Sequence, residues 1–198
     1  MIDEQLRSEL LAMRAEDRRV REELIASGEM DGSRYVSKME EVHRRNAARL
    51  RELIAVYGWP GEDIAGKDGA EAAWFIAQHS IGEPGFQHLA LKLIQACAAE
   101  GRTTAWHAAY LEDRIATQEG KPQRYGTQWM DDPVDGRTRP MPLADAERVD
   151  EWRSSVGLGP LRPIPERGPD LPAEQREANE QAQRWWEDWF VAHGWRES

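Results

Sequence analysis

Apolar residues recur along the N-terminal stretch at the spacing of a helix. Ile2, Leu6, Leu10, Met13, Val20 and Leu24 are separated by three, four or seven positions, with charges between them, which predicts one amphipathic helix over residues 2–27, ended by Gly28. Asp17 falls on the same stripe. It is either a helix edge in water, paired with Arg14 or Arg21 one turn away, or a carboxylate pointing into a polar site. A second helix is predicted from about Arg34 to Tyr57, with Met39, Val42, Leu50, Leu53, Ile54 and Tyr57 inward. Asn46 shares that stripe, and a buried amide must be hydrogen-bonded, so it either locks a helix pair or lines a pocket. His43 stands one step off the stripe amid His-Arg-Arg and is expected in solvent.

Residues 58–69, GWPGEDIAGKDG, are turn-rich and are expected to form a connecting loop. A third helix then starts near Ala70, with a small face of Ala70, Ala73 and Ala77 and with His79 in its last turn, where a cation is favourable on helix-dipole grounds alone. After Gly82, Pro84 and Gly85 comes a fourth helix whose stripe reads Phe86, Leu89, Leu93 and Cys97; Gln87, near its start, could face His79, while His88 looks outward. A fifth, from Thr104 to about Glu119, buries Ala108, Leu111 and Ile115. Asp113 and Arg114 flank that stripe and diverge by about 100°, so they cannot share one target directly.

Beyond Gly120 the pattern changes. QRYGTQWM and DDPVDGRTRPMPL read as short extended segments around Asp135-Gly136, a hairpin over about 123–142 with Pro140 and Pro142 suited to an edge. A sixth helix, AERVDEWRSSV, closes at Gly157. The expected organisation is a mainly α domain over 1–158 with five to six helices and a small hairpin, a Pro/Gly-rich linker over 159–172, and a C-terminal Trp-rich helix over 173–198. Trp185, Trp186, Trp189, Phe190 and Trp195 cover more than one stripe of that last helix. They either dock the tail or form a partner surface, with a homodimer as one such arrangement.

Composition narrows the partners. A formal charge of −10 argues against a nucleic-acid backbone or anionic membrane, both of which require a positive footprint. No run approaches the roughly 20 apolar residues of a bilayer span, and the charged start MIDEQLRSEL is no signal peptide, so a cytoplasmic location is expected. The single cysteine, Cys97, excludes an internal disulfide and sits in an apolar window, as an inert buried thiol does.

The chain has no GxGxxG after a strand, no GxxxxGK[ST], no HExxH, no CxxC and no GxSxG. What remains is an inventory for general acid–base chemistry: His79 titrates near neutrality, Asp17 or Asp113 can fix its tautomer, and Arg114 can hold an anionic group. Asn46, Gln87, Gln123, Tyr125 and Gln128 would bind and orient a small-molecule or peptide substrate. Such an enzyme, of hydrolase or lyase type, needs no cofactor and no metal. The metal alternative uses His79, Asp17 and Asp113 as nitrogen and oxygen ligands, without a recognisable ligand spacing. The other class of answer is a non-catalytic binding or interaction module, its polar cluster structural and its Trp-rich tail a docking element.

The combination of GWP at 58–60, QH at 78–79, FQ at 86–87, DR at 113–114, QRYGTQ at 123–128 and VGLGPL at 156–161 resembles a bacterial family of unknown function, domain-of-unknown-function family 6624, over about residues 5–162. The resemblance marks these motifs as shared and implies no reaction or cofactor. In the family pattern an acidic residue tends to follow QH, where this chain has Ser80-Ile81-Gly82, which weakens any scheme requiring a carboxylate there.

Overall fold

The Asp3 carboxylate accepts the backbone N–H groups of Gln5 and Leu6 and so starts helix α1, Glu4–Ala26. Leu6, Leu10, Met13, Val20 and Leu24 of that helix are buried as its periodicity predicts, and Asp17 is buried with them. Ile2, assigned to the same stripe, precedes the helix and is exposed. These features belong to a computed structural model that describes residues 1–197: a mainly α chain whose described residues form seven helices and one two-stranded antiparallel sheet. The chain divides into two compact units. The first comprises Met1–Asp31 and Tyr35–Leu111; the second comprises Gly32–Arg34 and the chain from Glu112 onward.

In the first unit, α1 packs against α2 (Ser37–Tyr57) and α3 (Glu62–His79), and α3 packs against α4 (Pro84–Ala99). Helix α2 buries Met39, Val42, Asn46, Ala47, Leu50 and Leu53, whereas Tyr57, expected inward, is exposed at its end. The stretch expected as a loop over 58–69 is mostly helix: α3 begins at Glu62, is interrupted only at Gly66 (φ 69°), and resumes. Its glycines serve packing as well as turning. A Cβ at Gly61 would lie 2.8 Å from the Arg102 carbonyl oxygen and 2.9 Å from Cys97 Sγ, and one at Gly69 would lie 3.0 Å from Ala65 Cβ.

Helix α4 begins with Pro84 in its first turn, where a missing N–H costs nothing. Its core stripe is Phe86, Ala90, Ile94 and Cys97; Leu89 is exposed and Leu93 half-buried, so the helix is rotated from the expected setting. Both stripes have helical spacing, and Leu89 and Leu93 made the wrong one the more apolar. The buried Gln87, bonded to the end of α3, favours the observed rotation.

Helix α5, Ala105–Gln118, ends in the second unit, where the hairpin pairs β1 (Trp129–Asp131) with β2 (Thr138–Pro140) in the register Trp129↔Pro140, Met130↔Arg139 and Asp131↔Thr138. Asp135 in its turn is buried and receives both terminal nitrogens of Arg139 at 2.8 and 2.7 Å and the Gly168 N–H at 2.8 Å. The Pro/Gly-rich stretch is thus anchored to the hairpin, and Leu171 N–H adds a bond to the Val134 carbonyl. Helix α6 is short, Val149–Ser155. Helix α7, Ala173–Ala192, buries Trp189, and Trp195 is buried just beyond it; Trp186 donates its indole N–H to the Gly32 carbonyl at 2.9 Å. The rings of Trp185, Trp186, Trp189 and Phe190 also contact one another along α7. Among the described residues, no helix is long and apolar enough to cross a membrane.

Candidate functional site

Three helices of the first unit each contribute one polar side chain to a single cluster. On α1, the spacing from Met13 to Asp17 to Val20 points the Asp17 carboxylate inward with the apolar stripe. On α3, His79 is the last helical residue, and its Nδ1 lies 3.1 and 3.2 Å from the two Asp17 oxygens. On α2, His43 places Nε2 3.0 Å from Asp17 Oδ2. The expectation that His43 is solvated is corrected here: its side chain is only 11 % exposed, against 1 % for Asp17 and 24 % for His79. His43 follows Met39 by four positions and precedes Asn46 by three, so the buried face of α2 is wide enough to include it despite the two arginines that follow.

The surroundings hold the rings in place. The Tyr35 hydroxyl bonds to His43 Nδ1, and the Phe75 ring lies 3.9 Å from that of His79, centroid to centroid. Burial opposes the charge on Asp17, but the close contacts of its oxygens with the His43 and His79 imidazoles outweigh it and hold the carboxyl well below its ordinary value of 3.8. The His43 contact is short yet off-line: the buried Nε2 has no directed hydrogen-bond partner. An ionised carboxylate between two imidazoles can orient either ring and stabilise its protonated form.

The other polar residues of this unit brace the cluster through the main chain. Asn46 Nδ2 approaches the Met13 carbonyl at 3.5 Å, one turn from Asp17. Gln87 does not reach toward the His79 ring with its amide nitrogen; Nε2 donates to the carbonyls of Ala77 and Gln78 at 2.8 and 3.0 Å, where α3 lacks helical partners. A cavity of about 590 Å³ in the same unit is lined by Ile2, Arg7, Gly66, Lys67, Asp68 and Glu71, none of them a candidate residue.

Asp113, Arg114, Gln123, Tyr125 and Gln128 lie in the second unit. Asp113 Oδ1 accepts the N–H groups of Arg124 and Tyr125 at 2.8 and 2.9 Å, and Oδ2 accepts the Thr127 N–H and hydroxyl, both at 2.9 Å. Gln123 closes the same loop, donating to the Gln128 and Met141 carbonyls and accepting the Gln128 N–H at 2.8 Å. Tyr125 is buried, and Gly126 at φ 65° passes so close to Leu161 that a Cβ would lie 2.8 Å from its Cδ1. The Gln128 amide nitrogen bonds to the Thr127 hydroxyl, and Arg114 is half-buried on α5. The QRYGTQ motif is therefore a loop shaped by Asp113 and Gln123.

Asp17, His43 and His79 form the one group of described residues whose donor atoms are gathered as a metal would need, all within 4.8 Å of one another, with His43 in the position that the sequence had assigned to Asp113. His107 is a second histidine that sequence reasoning passed over. It is buried against Trp74, with ring centroids 5.0 Å apart, and burial lowers its pKa from 6.5 to about 4.

No curated protein and no solved structure matches the chain. The family model described as a family of unknown function, DUF6624, matches residues 4–165 and so takes in the Asp17–His43–His79 cluster together with the loop that Asp113 organises. The chain belongs to the DUF6624 family of unknown function.

Proposed function

We propose that this protein is an enzyme of hydrolase or lyase type that acts on a small molecule or peptide by acid–base chemistry at the Asp17–His43–His79 cluster. His79 is the proton-transferring group, Asp17 sets its tautomer and stabilises its charged form, and His43 holds Asp17 from the other side. The observation that carries this reading is the buried Asp17 carboxylate kept ionised between two imidazoles, one of which, His79, has a quarter of its side chain exposed. A polar cluster serving only to lock helices gains nothing from an exposed imidazole edge. The net charge of −10 supports a neutral or cationic substrate over a polyanionic one.

The test is a panel of chromogenic esters, phosphoesters, amides and β-elimination substrates, run on the wild-type chain and on His79→Gln and Asp17→Asn. Loss of about 10²–10⁴-fold in turnover with unchanged circular dichroism supports the proposal. Turnover that survives both substitutions, or unfolding of both variants without any wild-type activity, rejects it. A second reading, an interaction module that dimerises through α7, is favoured by the half-buried rings of Trp185, Trp186 and Phe190 at the end of that helix. Sedimentation of the full chain at the monomer mass of 22.6 kDa across a concentration series removes it.

A further inference from the structure

We infer that Asp17, His43 and His79 form a binding site for one divalent first-row transition-metal ion, zinc or ferrous iron in class, held by two imidazole nitrogens and one carboxylate oxygen. The inference uses the same cluster as the proposed catalysis but does not depend on that catalysis being correct.

His43 Nε2 and His79 Nδ1 approach the same carboxylate at 3.0 and 3.1 Å, and no two of the three donors are more than 4.8 Å apart. An ion about 2.0–2.2 Å from each of three tetrahedral ligands needs its donors roughly 3.3–3.5 Å from one another. The two carboxylate–imidazole separations are already close to that range, and the two imidazole nitrogens, within 4.8 Å of one another, reach it by side-chain rotation. Two neutral nitrogens and one anionic oxygen from three helices are the donors that borderline divalent ions select.

Two further features fit an ion better than a carboxylate alone. His43 Nε2 is buried and lies 3.0 Å from Asp17 Oδ2 without a directed hydrogen bond, so the contact does not satisfy the nitrogen. Its other nitrogen is engaged by the Tyr35 hydroxyl, an oxygen that can accept the far-side N–H as the carboxylate, carbonyl or water beside a metal-ligating histidine does. Three protein ligands leave coordination positions open, and the partly exposed edge of His79 marks the side from which water or substrate would reach them. With an ion present, the water it activates takes over the proton chemistry assigned to His79; without one, His79 performs it.

The full chain, stripped with a chelator, is titrated with Zn²⁺ by calorimetry, and with Co²⁺ followed by its visible absorption. One ion per chain, a cobalt spectrum of low coordination number, and at least tenfold weaker binding in His79→Gln and His43→Gln are expected, with His88→Gln unchanged. Tyr35→Phe, which leaves all three ligands in place, should weaken binding about 10–100-fold. Asp17→Asn is the more disruptive variant and is read only if its circular dichroism matches wild type. Absent binding, or binding that the His43 and His79 substitutions do not alter, overturns the site. Turnover by the stripped protein with no Zn²⁺ uptake overturns this inference and leaves the catalytic proposal standing; stoichiometric Zn²⁺ uptake without turnover on any substrate supports the site and removes the catalysis.

Discussion

Asp17 and Asp113 are both fully buried carboxylates on helices, and they differ in what satisfies them. Asp113 is surrounded by main-chain N–H groups and one hydroxyl, so its role is to fold the Tyr-Gly-Thr loop. Asp113→Asn presents an amide NH₂ to donors and leaves buried N–H groups without an acceptor; we expect a loss of about 2–4 kcal/mol, read as a shift in the urea midpoint at unchanged m-value. Asp17 instead meets two groups that can themselves gain or lose protons. His107 supplies the pH dependence that can be assigned cleanly. Its folded pKa is about 4 and its ordinary value 6.5, so between these pH values the unfolded chain binds more protons than the folded one. Stability therefore rises with pH across that window and falls as pH drops from 6.5 toward 4, by on the order of 2–3 kcal/mol in total. His107→Leu should flatten the slope of unfolding free energy between pH 4 and 6.5 relative to wild type; an unchanged slope rejects the assignment.

At the scale of elements, the end of α3 decides where His79 points. Its last carbonyls lack helical partners, and Gln87 of α4 supplies two hydrogen bonds to them from a fully buried position, while the Ser80 hydroxyl bonds back to the Ile76 carbonyl at 2.7 Å. Gln87→Leu keeps the volume and removes both bonds, leaving buried carbonyls unpaired. We expect about 1–3 kcal/mol lower stability by chemical denaturation, together with a changed His79 imidazole chemical shift. The sequence identified Gln87 as a neighbour of His79 but not its target, because periodicity places a residue on a face without saying which atoms of the next helix meet it. The same gap explains α4: Leu89 and Leu93 outweigh Ala90 and Ile94 in hydrophobicity, yet the buried amide and the small residues of α3 determine which face turns inward. It also bears on residues 62–69, where Gly66 does interrupt the helix at φ 69° but Gly69, read as another breaker, lies within it, where a Cβ would come 3.0 Å from Ala65 Cβ and 3.4 Å from Arg7 Cγ.

For the whole molecule, the match to one family over residues 4–165 spans both compact units, and helix α7 lies beyond it. That helix is nevertheless part of the second unit's structure: Trp189 and Trp195 are buried there, and Arg196 donates to the carbonyls of Gln118 and Thr117 at 2.8 and 3.0 Å. Truncation after Pro172 should expose the aromatic contact surface and uncap the end of α5. We expect a lower melting temperature and increased binding of a hydrophobic dye, whereas an unchanged melt would mean that α7 contributes nothing to its unit.

The sequence alone determined the helical class, the positions of most helices and of the hairpin, and the inward direction available to Asp17 and Asn46, because these follow from side-chain period and turn chemistry, which are local. It pointed to Asp17 and His79 as residues of catalytic type. Tertiary structure alone decided that His43 completes their cluster, that Asp113 is occupied by a loop's own N–H groups, and how α4 is rotated. Those outcomes depend on which atoms meet across turns and between helices, from the 9 positions that separate Gln78 from Gln87 and the 14 between Asp113 and Thr127 to the 62 between Asp17 and His79, and a pattern with a period of 3.6 carries no information about which two faces will meet.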